Sequence, residues 1–172
     1  MSKRPFIPLD VAVLTVSDTR TEETDSSGKL LCDRIRKAGH RVADKIIVPD
    51  NIYQIRIVVS VWIANPEVQV VLTTGGTGVT GRDGTPEAIM PLLDKTLDGF
   101  GEVFRSISYQ EIGASTIQSR AIAGVANGTY IFCLPGSRNA CATAWDNIIQ
   151  AQLDYRTRPC NLVELIPRLQ EQ

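Results

Sequence analysis

Val68-Gln69-Val70-Val71-Leu72-Thr73-Thr74-Gly75-Gly76-Thr77-Gly78-Val79-Thr80-Gly81-Arg82-Asp83-Gly84-Thr85-Pro86 is the stretch whose reading decides the fold. Residues 68–73 are short, apolar and β-branched, the composition of a buried strand. Glycines and threonines follow, and the spacing predicts a loop at that strand's end. Thr85-Pro86 then opens a helix, with threonine as N-cap and proline at the first helical position. Strand, glycine loop and helix make one unit of an α/β fold.

The same alternation extends in both directions. Leu9 to Val16 reads as a buried strand, followed by a polar stretch from Ser17 to Ser27. A helix is predicted from about Gly28 to Ala38, with Leu30, Leu31 and Ile35 on one face and Gly39 as its stop. Arg41 to Val48 is a second strand, broken by Pro49-Asp50-Asn51. The next helix carries the stripe Ile52, Ile55, Val59, Trp62 and Ile63 and ends at Asn65-Pro66. Downstream, Gly101 to Tyr109 and Ser115 to Ala123 read as helices, Asn127-Gly128 as a turn and Tyr130 to Leu134 as a strand. Pro135-Gly136-Ser137 leads into a last helix with Ala140, Ala144, Trp145, Ile148 and Ile149 inward, and the tail from Arg156 is less regular. Helical crossovers between apolar strands predict a mostly parallel sheet covered on both faces. Ligands in such sheets bind outside the carboxyl ends of the strands. Four ends carry turn-forming or small polar residues: Ser17-Asp18, Pro49-Asp50, Thr74 to Gly84, and Pro135-Gly136-Ser137. Parallel strands bring all four to one edge.

Two nucleotide fingerprints fail on the glycine loop. Gly76 to Gly81 fits G-x-G-x-x-G, and Asp98 lies about 20 residues on, where a ribose ligand is sought. That motif needs a helix starting within it, however, and the helix signals here come after it. The Walker A pattern fails because no Gly-Lys-Ser/Thr closes the loop. A glycine- and threonine-rich loop remains. Either its N–H groups and hydroxyls meet an anion, or glycine relieves crowding against a neighbouring strand.

Asp50 and Asp83, at adjacent strand ends, can together hold Mg²⁺ against a phosphate; alone, each reads as a cap or a turn. Glu87, in the first turn of its helix, is a third candidate or a dipole-favoured surface carboxylate. Ser137 is an N-cap or part of an anion site. Ser17 and Asp18 are placed to touch a heterocycle or sugar. Arg120 is a surface charge or a phosphate ligand. The lone histidine, His40, ends a helix and reads as structural. Cys32, Cys133, Cys141 and Cys160 form no C-x-x-C pair, so zinc-ligand spacing is absent.

The ordered set Thr74-Gly75-Gly76-Thr77-Gly78, Asp83, Thr85-Pro86-Glu87 and Pro135-Gly136-Ser137 resembles the molybdopterin-binding family, which includes the MogA proteins and gephyrin-type G domains. The likeness covers almost the whole chain. Gly99 to Arg105, Glu111 to Gly113, Gln118 to Ala121 and Arg156 to Cys160 are similar to the MoaB branch. The resemblance implies a three-layer α/β/α sandwich assembling as a homotrimer or homohexamer. It implies molybdenum cofactor biosynthesis, with adenylyl transfer from MgATP to molybdopterin, and other enzymes of that pathway as partners. A non-catalytic molybdopterin-binding role is the alternative. Carried over by motif, the catalytic and metal positions are Asp50 and Asp83. Pterin and nucleotide contacts fall on Thr74 to Gly78, Ser17, Asp18, Ser119 and Pro135 to Ser137.

The bulk properties agree. A chain of 172 residues with 43% hydrophobic and 22% charged content predicts one domain, 1–172, with a real core. A net charge of -1 with no basic run argues against nucleic acid or an anionic membrane surface as partner. No apolar run approaches the roughly 18 residues of a membrane span. The first ten residues lack the apolar core of a signal peptide, which predicts the cytoplasm.

Overall fold

The computed structural model describes residues 4–171. Its centre is a six-stranded sheet in the order β2-β1-β3-β6-β5-β4. β1 (Asp10–Val16), β2 (Arg41–Val48), β3 (Val70–Thr74) and β6 (Thr129–Leu134) run parallel; β5 (Ile122–Ala126) and β4 (Lys95–Thr96) form an antiparallel edge. α1 (Ser26–Lys37) and α2 (Ile52–Ala64) are crossovers on either side of β2. α3 (Thr85–Ile89) and α4 (Asp98–Ile112) flank β4 in sequence. α5 (Arg138–Ala144) passes through a π turn at Trp145–Ile149 into α6 (Gln150–Gln152).

The layers follow from the pleat. Successive strand side chains point to opposite faces, and here both faces are buried. Val11, Val13, Val70, Leu72, Tyr130 and Phe132 pack on one face with Leu31 and Ile35 of α1, Phe104 of α4 and Trp145. Ala12, Leu14, Val71, Ile131 and Cys133 pack on the other with Ile55, Val59 and Trp62 of α2 and Ile89 of α3. The result is a three-layer α/β/α sandwich, as the sequence predicts. α1 begins where buried Asp25 accepts from the Gly28 N–H, and α2 where Asn51 accepts from Tyr53 and Gln54.

Two local expectations are corrected. Ser115 to Ala123 is not a helix: a 3₁₀ turn covers Gly113–Gln118, Ser119 is extended, and β5 starts at Ile122. Asn127 and Gly128 both have positive φ, +46° and +81°. That turn folds Ile122–Ala126 back along β6 and overrides the helical periodicity. Thr85 is not the N-cap of α3. Gly84 holds that position, and the Thr85 hydroxyl donates 2.8 Å to the Gly75 carbonyl, tying the helix to the glycine loop.

The chain leaves β1 toward β2 on one side and returns to β3 on the other. The crevice between β1 and β3 is therefore the topological switch point, where α/β sheets bind ligands.

Candidate functional site

The four parallel carboxyl ends open onto one cleft of about 510 Å³. β1 contributes Ser17 and Asp18, and β2 contributes Asp50. Thr74 to Gly78 and Asp83 follow β3; Pro135, Gly136 and Ser137 follow β6. The facing wall comes from α4 and the 3₁₀ turn after it, with Phe104, Ser108, Ile112 and Ser119. Of the catalytic, metal and ligand-contact residues named from the sequence, Glu87 alone does not line the cleft, and Arg120 and His40 lie outside it as well.

Glycine is required at the loop's start. Gly75 has φ +106°, and a Cβ there would lie 2.1 Å from the Val16 carbonyl oxygen. Gly76 has φ +67°, and its Cβ would lie 2.3 Å from Thr85 Oγ1 and 3.2 Å from both Asp50 carboxylate oxygens. The crowding reading of the loop therefore holds. Gly75 lets β3 pass close to β1, and Gly76 leaves room beside a carboxylate. The Gly75 N–H donates to Leu134 at 3.0 Å, whereas the N–H groups of Gly76 and Thr77 have no partner among the described residues. Such free N–H groups on a tight turn suit an anion.

The two aspartates are not equivalent. Asp50 Oδ1 is buried without a hydrogen-bond partner, and burial, with the charges of Asp83 and Asp18 added, pushes its carboxyl above the usual range. Asp83 Oδ2 accepts from the Thr80 hydroxyl at 2.6 Å and the Thr80 N–H at 2.9 Å. The Thr80 hydroxyl chiefly, with help from the Thr80 and Gly78 N–H groups, holds Asp83 below the usual carboxylate range. Asp18 accepts a fork from Arg82 at 3.0 and 2.6 Å, and this pairing lowers its pKa. Its Oδ1 also accepts the Asp50 N–H at 3.0 Å, so Asp18 positions the Asp50 backbone.

Several hydroxyls are already engaged. Ser17 Oγ accepts from the N–H groups of Thr19 and Arg20, at 3.2 and 3.1 Å, and Ser137 Oγ caps α5 through the Ala140 N–H at 3.1 Å. Thr74 Oγ1 donates to the Pro135 carbonyl at 3.0 Å. Ser119 Oγ is buried and unpartnered.

The structure places Glu87 away from the other candidate ligands, as an anchor for Arg120. It pairs with Arg120, outside the cleft, because α3 turns its first-turn carboxylate toward the entry of β5. Arg120 is neither of the things its sequence context suggests. Its Nε donates 2.7 Å to the Gly78 carbonyl, Nη2 donates 3.2 Å to the Asp83 carbonyl, and its own N–H donates 3.0 Å to Thr77. It clamps the glycine loop from behind. His40 is structural, as read: its Nδ1 accepts the Leu9 N–H at 3.1 Å, at the opposite edge of the sheet.

Apart from Ser119, sequence reasoning misses the far wall, and it misses Arg20, which also lines the cleft. The spacing of Phe100, Phe104 and Ser108 on α4 puts them on one helical face, a signal for the wall but not for which cleft it closes. Among the described residues no group of three or more His, Cys, Asp or Glu is placed to cage a metal ion. Among the described residues, no helix is long and apolar enough to cross a membrane.

Comparison with known proteins agrees with this geometry. The profile of the family described as "Probable molybdopterin binding domain" matches residues 12–155. The chain is 62% identical to "Molybdenum cofactor biosynthesis protein B" of Escherichia coli (strain K12) over 156 residues, 91% of this chain and 92% of that one. Its identity to the protein of the same name in Bacillus subtilis (strain 168) is 46% over 147 residues, covering 85% and 86%. A crystal structure of a molybdenum cofactor biosynthesis protein B superposes with a TM-score of 0.83 at 44% identity, over 89% of this chain and 94% of that one. The tungsten cofactor synthesizing protein MoaB from Pyrococcus furiosus superposes at 0.73 with 40% identity, over 83% and 91%. On these grounds the chain belongs to the molybdopterin-binding domain family, in its MoaB branch.

Proposed function

We infer that the cleft binds molybdopterin and MgATP and transfers the adenylyl group to the pterin's terminal phosphate, as a step of molybdenum cofactor biosynthesis. The observation that carries this reading is Asp50. It presents a buried, unpartnered carboxylate oxygen beside the open face of the glycine loop. The likeness to relatives named for that pathway supports the pterin as ligand.

The chemistry asks little of a base, because a phosphate monoester is already anionic. An oxygen of the pterin phosphate bonds to the α-phosphorus of ATP. The bond from that phosphorus to the bridging oxygen breaks, and pyrophosphate leaves with the electron pair. What the reaction needs is positioning and charge neutralisation. The N–H groups of Gly76 and Thr77 are free to hold phosphate oxygens, and Asp18 fixes Asp50 in place. Phe104 and Ile112 give the heterocycle an apolar wall. Mg²⁺ fits the donor set: hard carboxylate oxygens of Asp50 and Asp83 would hold it, with substrate phosphates completing the shell. Bound there, it would neutralise charge on the transferring phosphates.

The second reading is a molybdopterin-binding protein without turnover. Asp83, already satisfied by Thr80, favours it, since it leaves Asp50 Oδ1 as the one buried, unpartnered carboxylate oxygen of the pair. Pyrophosphate release from MgATP and molybdopterin separates the two. Release by the wild type, lost in Asp50→Ala, supports the transferase. No release, with molybdopterin still bound in a parallel titration, leaves the binding protein. The expected homotrimer or homohexamer finds support in Tyr53, Ile57 and Val61, an exposed apolar stripe at i, i+4 and i+8 on α2, and sedimentation velocity tests it.

A further inference from the structure

The cleft is oddly charged for a site that takes phosphates. Asp18, Asp50 and Asp83 all line it, while Arg20 is the one basic residue among its described lining residues. The other guanidiniums nearby are engaged. Arg82 forks onto Asp18, and Arg120 is divided between loop carbonyls and Glu87. Arg20 forms no ion pair among the described residues; its side chain makes a single bond, 3.3 Å from Nη1 to the Thr24 carbonyl.

The backbone that carries Arg20 is nonetheless fixed. Ser17 Oγ accepts its N–H at 3.1 Å, and the Thr21 N–H donates to Thr24 Oγ1 at 2.9 Å. The segment ends at buried Asp25, which accepts from Thr15 Oγ1 at 2.8 Å and pairs with Lys45 at 3.0 Å. A free guanidinium on a tied loop, overhanging a cleft with unused N–H groups, offers a planar fork of donors matched to phosphate oxygens. Around three carboxylates, that cation offsets the repulsion an incoming anion meets.

We propose that Arg20 binds a phosphate group of the ligand and that Ser17, singled out in the sequence as a ligand contact, acts as the residue that positions it. The ligand class is a phosphate monoester or pyrophosphate. The proposal rests on the molybdopterin reading for the ligand's name, not for its chemistry.

Calorimetric titration of wild type, Arg20→Gln and Arg20→Lys with molybdopterin, and separately with inorganic pyrophosphate, each at low and high salt and fixed Mg²⁺, tests it. Arg20 is exposed, so all three proteins are expected to melt together. Arg20→Gln is expected to weaken at least one of the two ligands about tenfold, with a flatter salt dependence, and Arg20→Lys to recover part of the loss. Equal affinity and equal salt dependence in wild type and Arg20→Gln for both ligands overturns the proposal, as does binding of neither ligand. Pyrophosphate binding that depends on Arg20, with no molybdopterin binding by the wild type, keeps Arg20 and removes the pterin reading instead.

Discussion

β1, β2, β3 and β6 are joined in parallel and send four carboxyl ends to the cleft, whereas β5 runs the other way and two-residue β4, antiparallel to it, closes the far edge. The parallel half supplies the carboxylates and the glycine loop. The antiparallel edge, with α4 between its strands, supplies the far wall and the Arg120 clamp that reaches the loop just before β5. The candidate ligand groups come from one half and the restraint on them from the other. Removing the unpartnered carboxylate of the first should cost activity with little stability, and breaking the second should loosen a loop whose ligand-facing groups stay intact.

The largest expected effect lies at the orphaned carboxylate. Asp50→Ala should lower pyrophosphate release by about 10²–10³-fold. Its melting temperature should hold or rise, because the substitution removes a buried polar atom without a partner. Asp83→Ala should lose activity and also melt earlier, since Thr80 loses its acceptor. Calorimetric melting of both variants checks the contrast, and equal loss of stability in the two would erase it.

The halves should also differ in packing. Leu72 in β3 is fully buried on the face covered by α1 and α4, while Val125 in β5 is 7% exposed at the short edge. Leu72→Ala should cost about 2–5 kcal/mol. Val125→Ala removes one carbon fewer at a site that can relax, and should cost roughly 1–2 kcal/mol. Urea denaturation at fixed pH measures both.

The same division governed what could be read from the sequence. β1 and β3 are continuous apolar runs because both their faces are covered, and that pattern is visible without a structure. So were the convergence of Ser17, Asp50, Thr74 and Pro135 at one edge and the N-cap at Ser137. The antiparallel edge left no such mark. β4 is two residues long, and β5, Ile122-Ala123-Gly124-Val125-Ala126, is too rich in small residues to show a strand's signature. It exists because the Asn127-Gly128 turn returns the chain along β6, a tertiary cause that outweighs local propensity. The place of Glu87 was hidden for a related reason. Its first-turn position is visible in sequence, but the partner that claims it, Arg120, arrives from the region the sequence leaves obscure.

Arg120 tests how far the edge restrains the loop. Arg120→Ala removes donors to Gly78 and Asp83 and strands Glu87, and should cost about 1–3 kcal/mol. Because the ligand-facing groups remain, KM for MgATP should rise more than kcat falls. Arg120→Lys should not restore the wild-type value, since a single ammonium cannot serve two carbonyls and a carboxylate in a fixed fork. Steady-state kinetics with both variants decides it; full rescue by lysine would mean that charge alone, not the fork, holds the loop.

The smallest effect is expected at the amino-terminal edge of the parallel half, away from the cleft. Burial pushes the His40 imidazole below its ordinary pKa; nearby Asp154 works against that shift and Arg41 with it. The neutral ring is the one that fits, because Nδ1 must accept the Leu9 N–H. A histidine whose folded-state pKa is depressed binds more protons when unfolded, so stability rises with pH across that interval. Its contribution is complete above about 6.5, the unfolded value, and is lost as pH falls from there through the folded pKa. Urea midpoints should therefore drop between pH 7.5 and 5.5, and His40→Gln, whose amide oxygen can still accept, should flatten the drop. Ligand affinity over the same range should not track that substitution. If it does, the two edges of the parallel half are coupled, and the cleft cannot be treated apart from the rest of the sheet.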